Sequence, residues 1–202
     1  MRARLLVVVI TLACGGEAKS PDASATGARE VIGTAPAAIQ GLPSVVMLDP
    51  IPSHPAHPPA EAAVLDQFGL AFVPKLLVAQ VAQVVEFRNS EEVEHSVRVT
   101  DLAGDSTVFN VSMPSGARYA HTFTRTGGYG VKCDIHPGMT AYILVVSARY
   151  ATVATAAGDF SMADVPTGSY TLSVWSVDPA RRRTRTVEVL PGRTVLGLYP
   201  VP

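Results

Sequence analysis

The chain has 202 residues, with 16 Lys and Arg against 17 Asp and Glu, which gives a formal net charge of -1 at pH 7. Hydrophobic residues make up 48% and charged residues 16%, which excludes a largely disordered chain, and the balanced charge excludes the basic footprint of a nucleic-acid-binding protein. The length allows one large or two small domains, and short alternating apolar runs broken by 16 Gly and 16 Pro predict an all-β fold.

Residues 1–13 have the features of a lipoprotein signal peptide. Arg2 and Arg4 precede an apolar run that is too short to span a bilayer. Cys14 is followed by two glycines and resembles the lipidated cysteine of a bacterial lipobox, with Thr11 where that motif usually has Leu. The resemblance implies a lipid anchor on Cys14 and a place in the bacterial cell envelope, on the periplasmic side of an outer membrane.

The segment that follows is divided into a tether and the start of a folded domain. Residues 14–28 are rich in Ala, Ser, Asp and Pro and predict a flexible tether. Residues 29–67 contain one clear strand, 44–48, and then a Pro-rich loop that favours extended backbone. We assign 29–67 to the first domain, 29–147, as its N-terminal strand and loop.

The remainder of the first domain, residues 68–147, consists of short apolar runs separated by Gly, Pro and Asp. The runs show no ten-residue helical period, so they predict the strands of a β-sandwich. The predicted strands lie at 71–74, 76–78, 84–87, 95–99, 108–111, 118–123, 129–131 and 141–146.

Residues 148–202 predict a smaller β unit. Two strands flank a Pro-Thr-Gly turn at 166–168, a basic hairpin tip lies at 181–185, and strands at 186–190 and 194–198 close the unit. A unit of roughly fifty residues is near the lower size limit for independent folding, so we expect it to pack against the first domain.

Side chains that can bind a metal are concentrated in the segment Cys133-Asp-Ile-His136-Pro-Gly-Met139. It places a thiol, an imidazole and a thioether in one short loop, and two His with one Cys and a weak axial Met is the ligand set of a blue-copper site. Zinc more often takes further Cys or carboxylate ligands. The second imidazole must come from a distant strand: His95, which opens an alternating run, is the better candidate, and His121, in the middle of a strand, is the rival.

Two segments, 87–95 and 128–139, resemble the plastocyanin/azurin family of cupredoxins. The short Cys-x-x-His-x-x-Met loop and the six-residue step from Asn89 to His95 are most similar to amicyanin. The resemblance implies a Greek-key β-sandwich that holds one mononuclear type 1 copper ion. The implied ligands are His95, Cys133, His136 and Met139.

The sequence departs from this family at two positions beside the ligands. Ser96 stands where relatives usually have an Asn that ties the two ligand loops together, and Asp134 stands where they usually have a small residue. Further along, residues 158–175 resemble the carboxypeptidase regulatory-like, transthyretin-like fold, which implies a small second β-sandwich without catalytic residues.

The resemblance to cupredoxins implies outer-sphere electron transfer with a redox partner protein, with the ring edge of His136 exposed as the electron port. We expect no enzymatic activity, because the ligand set leaves no open position on the metal. Two other functions remain open: a periplasmic copper carrier or storage protein, and a surface-binding module with structural copper. Multiple His-x-His motifs and a second Cys in the loop are missing, which argues against a multicopper oxidase and a dinuclear copper centre.

Overall fold

The computed structural model describes residues 29–53 and 56–196. These residues form sixteen β-strands and a single 3-10 helix of three residues, which confirms the predicted all-β class. The predicted signal peptide, the tether and Cys14 lie outside the described residues. In the part of the chain described, no helix has the length and apolar character needed to cross a membrane.

Segment 29–67 contains three strands where the sequence predicted one, and the predicted basic hairpin tip at 181–185 runs from the end of a 3-10 helix into a strand. In chain order the strands are β1 (Glu30–Thr34), β2 (Val45–Pro50), β3 (Ala63–Gln67), β4 (Phe72–Val73), β5 (Leu76–Gln80), β6 (Val84–Asn89), β7 (His95–Asp101), β8 (Ser106–Met113), β9 (Arg118–Thr122), β10 (Gly127–Lys132), β11 (Thr140–Val146), β12 (Tyr150–Val153), β13 (Asp159–Ala163), β14 (Gly168–Trp175), β15 (Arg183–Val189) and β16 (Arg193–Leu196). The 3-10 helix, Pro179–Arg181, lies between β14 and β15.

Strands β3 to β11 form the first sandwich. One sheet has the order β4-β3-β6-β9 and the other the order β5-β11-β10-β7-β8. Alternate side chains of both sheets point inward and form one apolar core, in which Leu65, Phe87, Val97 and Ile143 are completely buried.

The other strands form the second sandwich, with sheets β13-β1-β16 and β12-β2-β14-β15 around a separate core. Strand β2 pairs with β14 through Leu48 and Leu172, and β1 pairs with β13 and β16. The two N-terminal strands therefore lie in the sheets of the C-terminal unit, so the predicted assignment of 29–67 to the first domain is wrong for β1 and β2. The first sandwich is an insertion between β2 and β12.

The two sandwiches share a third core, which we call the interface cluster. It contains Leu42, Val45, Leu76, Leu144, Val146 and Trp175, all buried. The cluster explains why β11 is apolar without alternation: Ile143 and Val145 face the first core, whereas Leu144 and Val146 face the second sandwich. The predicted packing of the smaller unit against the larger one is present in this form.

Candidate metal centre

The segment 133–139, here called the ligand loop, connects two antiparallel neighbours. Strand β10 ends and β11 begins at the paired residues Lys132 and Thr140. The Cys133 N–H donates to the Met139 carbonyl (3.1 Å), which closes the loop on itself. Gly138 has φ +87°, a left-handed conformation that glycine adopts without strain and that allows the chain to turn back into β11. Cys133 and Met139 are both buried as a result.

His95 is brought to the ligand loop by the preceding turn. The Asn89 side chain donates to the carbonyls of Val93 and Met113 (2.8 Å each) and accepts the Glu91 N–H (2.9 Å). This buried amide fixes the backbone between β6 and β7, so the six-residue step from Asn89 places His95 as the first residue of β7 with no exposed surface.

Three of the four predicted ligands have donor atoms that converge on one point. The Nδ1 atoms of His95 and His136 are 3.0 Å apart, and Cys133 Sγ lies 3.9 Å from His136 Nδ1. One donor atom from each lies within 4.8 Å of the others, and among the described residues no other group of His, Cys, Asp and Glu does so. Two imidazole nitrogens and a thiol at this spacing fit a borderline or soft metal ion such as copper.

The other two candidate residues differ in their placement. Met139 is buried at the end of the same loop, three residues after His136. His121 lies in β9 of the opposite sheet, where its ring packs against Phe109 (centroids 4.8 Å apart) and Phe123 (4.7 Å). It is not part of the converging group, and its packing between aromatic rings accounts for its position.

The pKa of the Cys133 thiol is lowered, which favours the form that binds metals. Burial raises its pKa, but the backbone N–H groups of His136, Ser96 and Ile135 outweigh burial and lower the pKa to about 6. The first two donors lie 3.4 Å from Sγ. The thiolate is therefore the main form at neutral pH, and the thiolate is the form that binds metals.

Glu91 fixes the tautomer of His95, a role that the motif alone did not indicate. Its Oε2 lies 2.8 Å from His95 Nε2, so Nε2 carries the proton and the Nδ1 lone pair faces the other ligands. The carboxylate also accepts the Leu70 N–H at 3.2 Å. Burial raises the pKa of Glu91, but the N–H groups of Leu70, His95 and Gly69 hold it below its ordinary value. In the sequence, the signal for this role was the position of Glu91, a carboxylate four residues before the candidate ligand His95.

The two departures from the family pattern contact each other. Ser96 Oγ accepts the Asp134 N–H at 2.7 Å and lies 3.7 Å from Cys133 Sγ, so the shorter serine still ties the ligand loop to β7. The Asp134 carboxylate pairs with Arg98 (2.6 Å) and accepts from Asn110 (3.0 Å). Burial raises the pKa of Asp134, but these partners, Arg98 foremost, lower it overall.

Comparison with known proteins gives one family match. The family model for copper-binding proteins of the plastocyanin/azurin family matches residues 60–146, which is the span of the first sandwich. No match was found among curated proteins.

Several solved structures are similar to less than half of the chain. A purple cupredoxin from Nitrosopumilus maritimus is 23% identical, with 42% of this chain and 99% of that chain covered and a TM-score of 0.37. Amicyanin from Paracoccus versutus is 23% identical, with 45% and 92% covered and a TM-score of 0.39. A copper-containing nitrite reductase from Thermus scotoductus SA-01 is 30% identical, with 48% of this chain but only 26% of that chain covered and a TM-score of 0.39.

The family match and the converging ligands agree on the same segment. The matched residues begin just before β3, end with β11 and include every candidate ligand. Residues 60–146, a segment within a longer chain, are therefore similar to the plastocyanin/azurin family of copper-binding proteins.

Proposed function

We propose that the protein is a one-electron carrier of the bacterial cell envelope whose first sandwich holds one type 1 copper ion. The proposed ligands are His95, Cys133, His136 and Met139. The observation that carries the proposal is the 3.0 Å approach of the two Nδ1 atoms beside a buried thiol. Copper bound there would supply one-electron chemistry through its Cu(I) and Cu(II) states.

The residues around the ligands hold them in one arrangement. Glu91 orients His95, Asn89 fixes the turn before it, and Ser96 joins the ligand loop to β7. These hydrogen bonds join protein groups to one another, so the ligands are arranged by the fold itself. A site that changes little between oxidation states needs little reorganisation, which favours rapid electron transfer.

Partner access supports the same function. His136 is the only partly exposed member of the converging group. Ile135 next to it is 47% exposed, and Val93 and Leu70, on the loops that hold Glu91, are 46% and 56% exposed. Contiguous exposed apolar side chains mark contact surfaces, and these three lie on the ligand loop and on the two loops that meet at Glu91. A redox partner that docks on this end of the sandwich would reach the His136 ring edge first.

The burial of the ligands favours electron transfer over the alternatives. His95, Cys133 and Met139 are all under 8% exposed. An exchangeable carrier site needs open access for the receiving protein's ligands, and an enzyme needs a free coordination position for its substrate. We therefore propose no catalytic reaction at this site, and we propose that lipid on Cys14 keeps the carrier at the membrane.

The decisive experiment combines an absorption spectrum, a spin-resonance spectrum and a reduction–reoxidation cycle on the copper-loaded protein. We expect one copper ion per chain, an intense thiolate-to-copper band and rapid reversible reduction. Cys133→Ser should abolish the band, because a hydroxyl is neither soft nor readily ionised. One bound copper without a thiolate band would contradict the proposal, and slow reduction with rapid transfer of copper to a chelator would indicate a carrier.

A further inference from the structure

Gln67, the last residue of β3, is a polar side chain with no exposed surface. It belongs to the sheet opposite the ligand loop and lies beside Asn89 of β6 in the parallel register. A buried amide is costly unless its donors and acceptor are hydrogen-bonded, so its partners indicate what it does.

The amide of Gln67 has one well-defined partner. Its Nε2 donates to the Ser96 carbonyl at 3.1 Å, whereas its Oε1 has no hydrogen-bond partner among the described residues. The reversed amide would place two acceptor oxygens against each other, so chemistry fixes the orientation. An apolar residue of the same size would avoid the unpaired oxygen but would lose the bond to Ser96.

Ser96 is hydrogen-bonded through its N–H, its side chain and its carbonyl, and it connects the ligand loop to the opposite sheet. Its N–H donates to Cys133 Sγ (3.4 Å) and its Oγ accepts the Asp134 N–H (2.7 Å), so both of these groups hold the ligand loop. Its carbonyl is held by Gln67 from the opposite sheet. Gln67 thus holds the carbonyl of Ser96, the residue whose N–H contacts Cys133 Sγ.

We propose that Gln67 is a positioning residue of the metal centre that keeps the Ser96 N–H directed at Cys133 Sγ and thereby raises the reduction potential. The inference rests on the proposed type 1 site. A hydrogen bond to the thiolate withdraws electron density from sulfur, which weakens its donation to Cu(II) more than to Cu(I). Release of the Ser96 carbonyl lets the backbone of Ser96 rotate about its Cα, which weakens the bond from its N–H to Cys133 Sγ and makes the potential more negative.

The test compares Gln67→Met with Leu65→Met. Both positions lie in β3, point into the same core and are completely buried, but only Gln67 bonds to Ser96. In the copper-free protein, Gln67→Met should speed exchange of the Ser96 amide hydrogen about fivefold, the factor expected for one lost hydrogen bond. In the copper-loaded protein it should move the potential to a more negative value, whereas Leu65→Met should change neither.

A measurement on the unaltered protein keeps the inference testable should Gln67→Met fail to fold. The Gln67 side-chain amide hydrogens should exchange slowly, and their resonances should show coupling to Ser96; rapidly exchanging hydrogens would overturn the inference. In a folded variant, an unchanged potential would also overturn it, even with faster Ser96 exchange. Absence of a thiolate band in the unaltered protein would instead refute the proposed function, so the two failures are distinguishable.

Discussion

Replacing Leu144 with Ala should destabilise both sandwiches together. Leu144 is 3% exposed and lies in the interface cluster, on the face of β11 turned away from the first core. Truncation of a buried Leu to Ala costs about 2–5 kcal/mol, because apolar contacts are lost and a cavity remains. The middle of that range, about 3.5 kcal/mol, divided by a urea dependence of about 2 kcal/mol per molar predicts that the midpoint of unfolding falls by about 2 M.

Two probes can follow the two sandwiches separately. Trp175 is the only tryptophan of the chain, and because it lies in β14 and in the interface cluster, its fluorescence reports on the second sandwich and on its contact with the first. The buried Cys133 reports on the first sandwich through its labelling by a thiol reagent, in a Cys14→Ser background. Both midpoints should fall by the same amount in Leu144→Ala, and neither should move in the control Leu190→Ala, whose side chain is 60% exposed.

The shared core is the reason for expecting coincident transitions. If the fluorescence and labelling transitions separate, or if Leu144→Ala shifts only one of them, the sandwiches are independent folding units. The interface cluster would then contribute little to either stability.

Three further predictions concern single residues. His95→Ala should abolish the thiolate-to-copper band and His121→Ala should leave it nearly intact, because the His121 ring packs against Phe rings away from the converging donors; the reverse result would make His121 the ligand. Met139→Gln should lower the reduction potential, because oxygen stabilises Cu(II), and Met139→Leu should raise it; three equal potentials by protein-film voltammetry would mean that Met139 only packs. Cys14→Ser should leave an unprocessed or released form in membrane fractionation, whereas normal fractionation with an unchanged mass would contradict a lipid anchor.

The candidate metal centre was the most predictable part of the chain because three of its four proposed ligands are close in sequence. Cys133, His136 and Met139 lie in one loop between two paired strands, so their spacing alone places them together. His95 required the motif that begins at Asn89, and the buried Asn89 amide supplies the physical reason for its fixed spacing.

The residues that support the ligands were harder to foresee. Glu91 and Gln67 act through hydrogen bonds whose partners are set by the fold. Gln67 lies in a segment where the sequence predicted no strand, and a Gln is usually exposed. The Ser96 and Asp134 departures were visible in the sequence, but the bond between them follows from the approach of β7 to the ligand loop.

The division into domains failed at β2 for a related reason. Strand β2 lies in the middle of its sheet, with Val45 in the interface cluster and Val46 and Leu48 in the second core. Such a strand is apolar on both faces and carries no signal about which core it serves. Its partner in β14 lies more than one hundred residues away, beyond the reach of any local pattern.

The first sandwich is inserted between β2 and β12 of the second sandwich, and this position leaves the candidate metal centre accessible. Strands β2 and β12 are antiparallel neighbours, and the Arg149 N–H donates to Asp49 at 3.2 Å, so the chain leaves and re-enters the second sandwich at adjacent points. Without the insertion, a hairpin turn could connect β2 directly to β12. A domain inserted at a surface turn leaves the hydrogen bonds of the sheets intact. The inserted sandwich returns through β11, whose seven residues span about 20 Å from the ligand loop to this junction. His136 therefore lies at the end of the first sandwich remote from the junction, where a partner can approach it while the second sandwich remains attached.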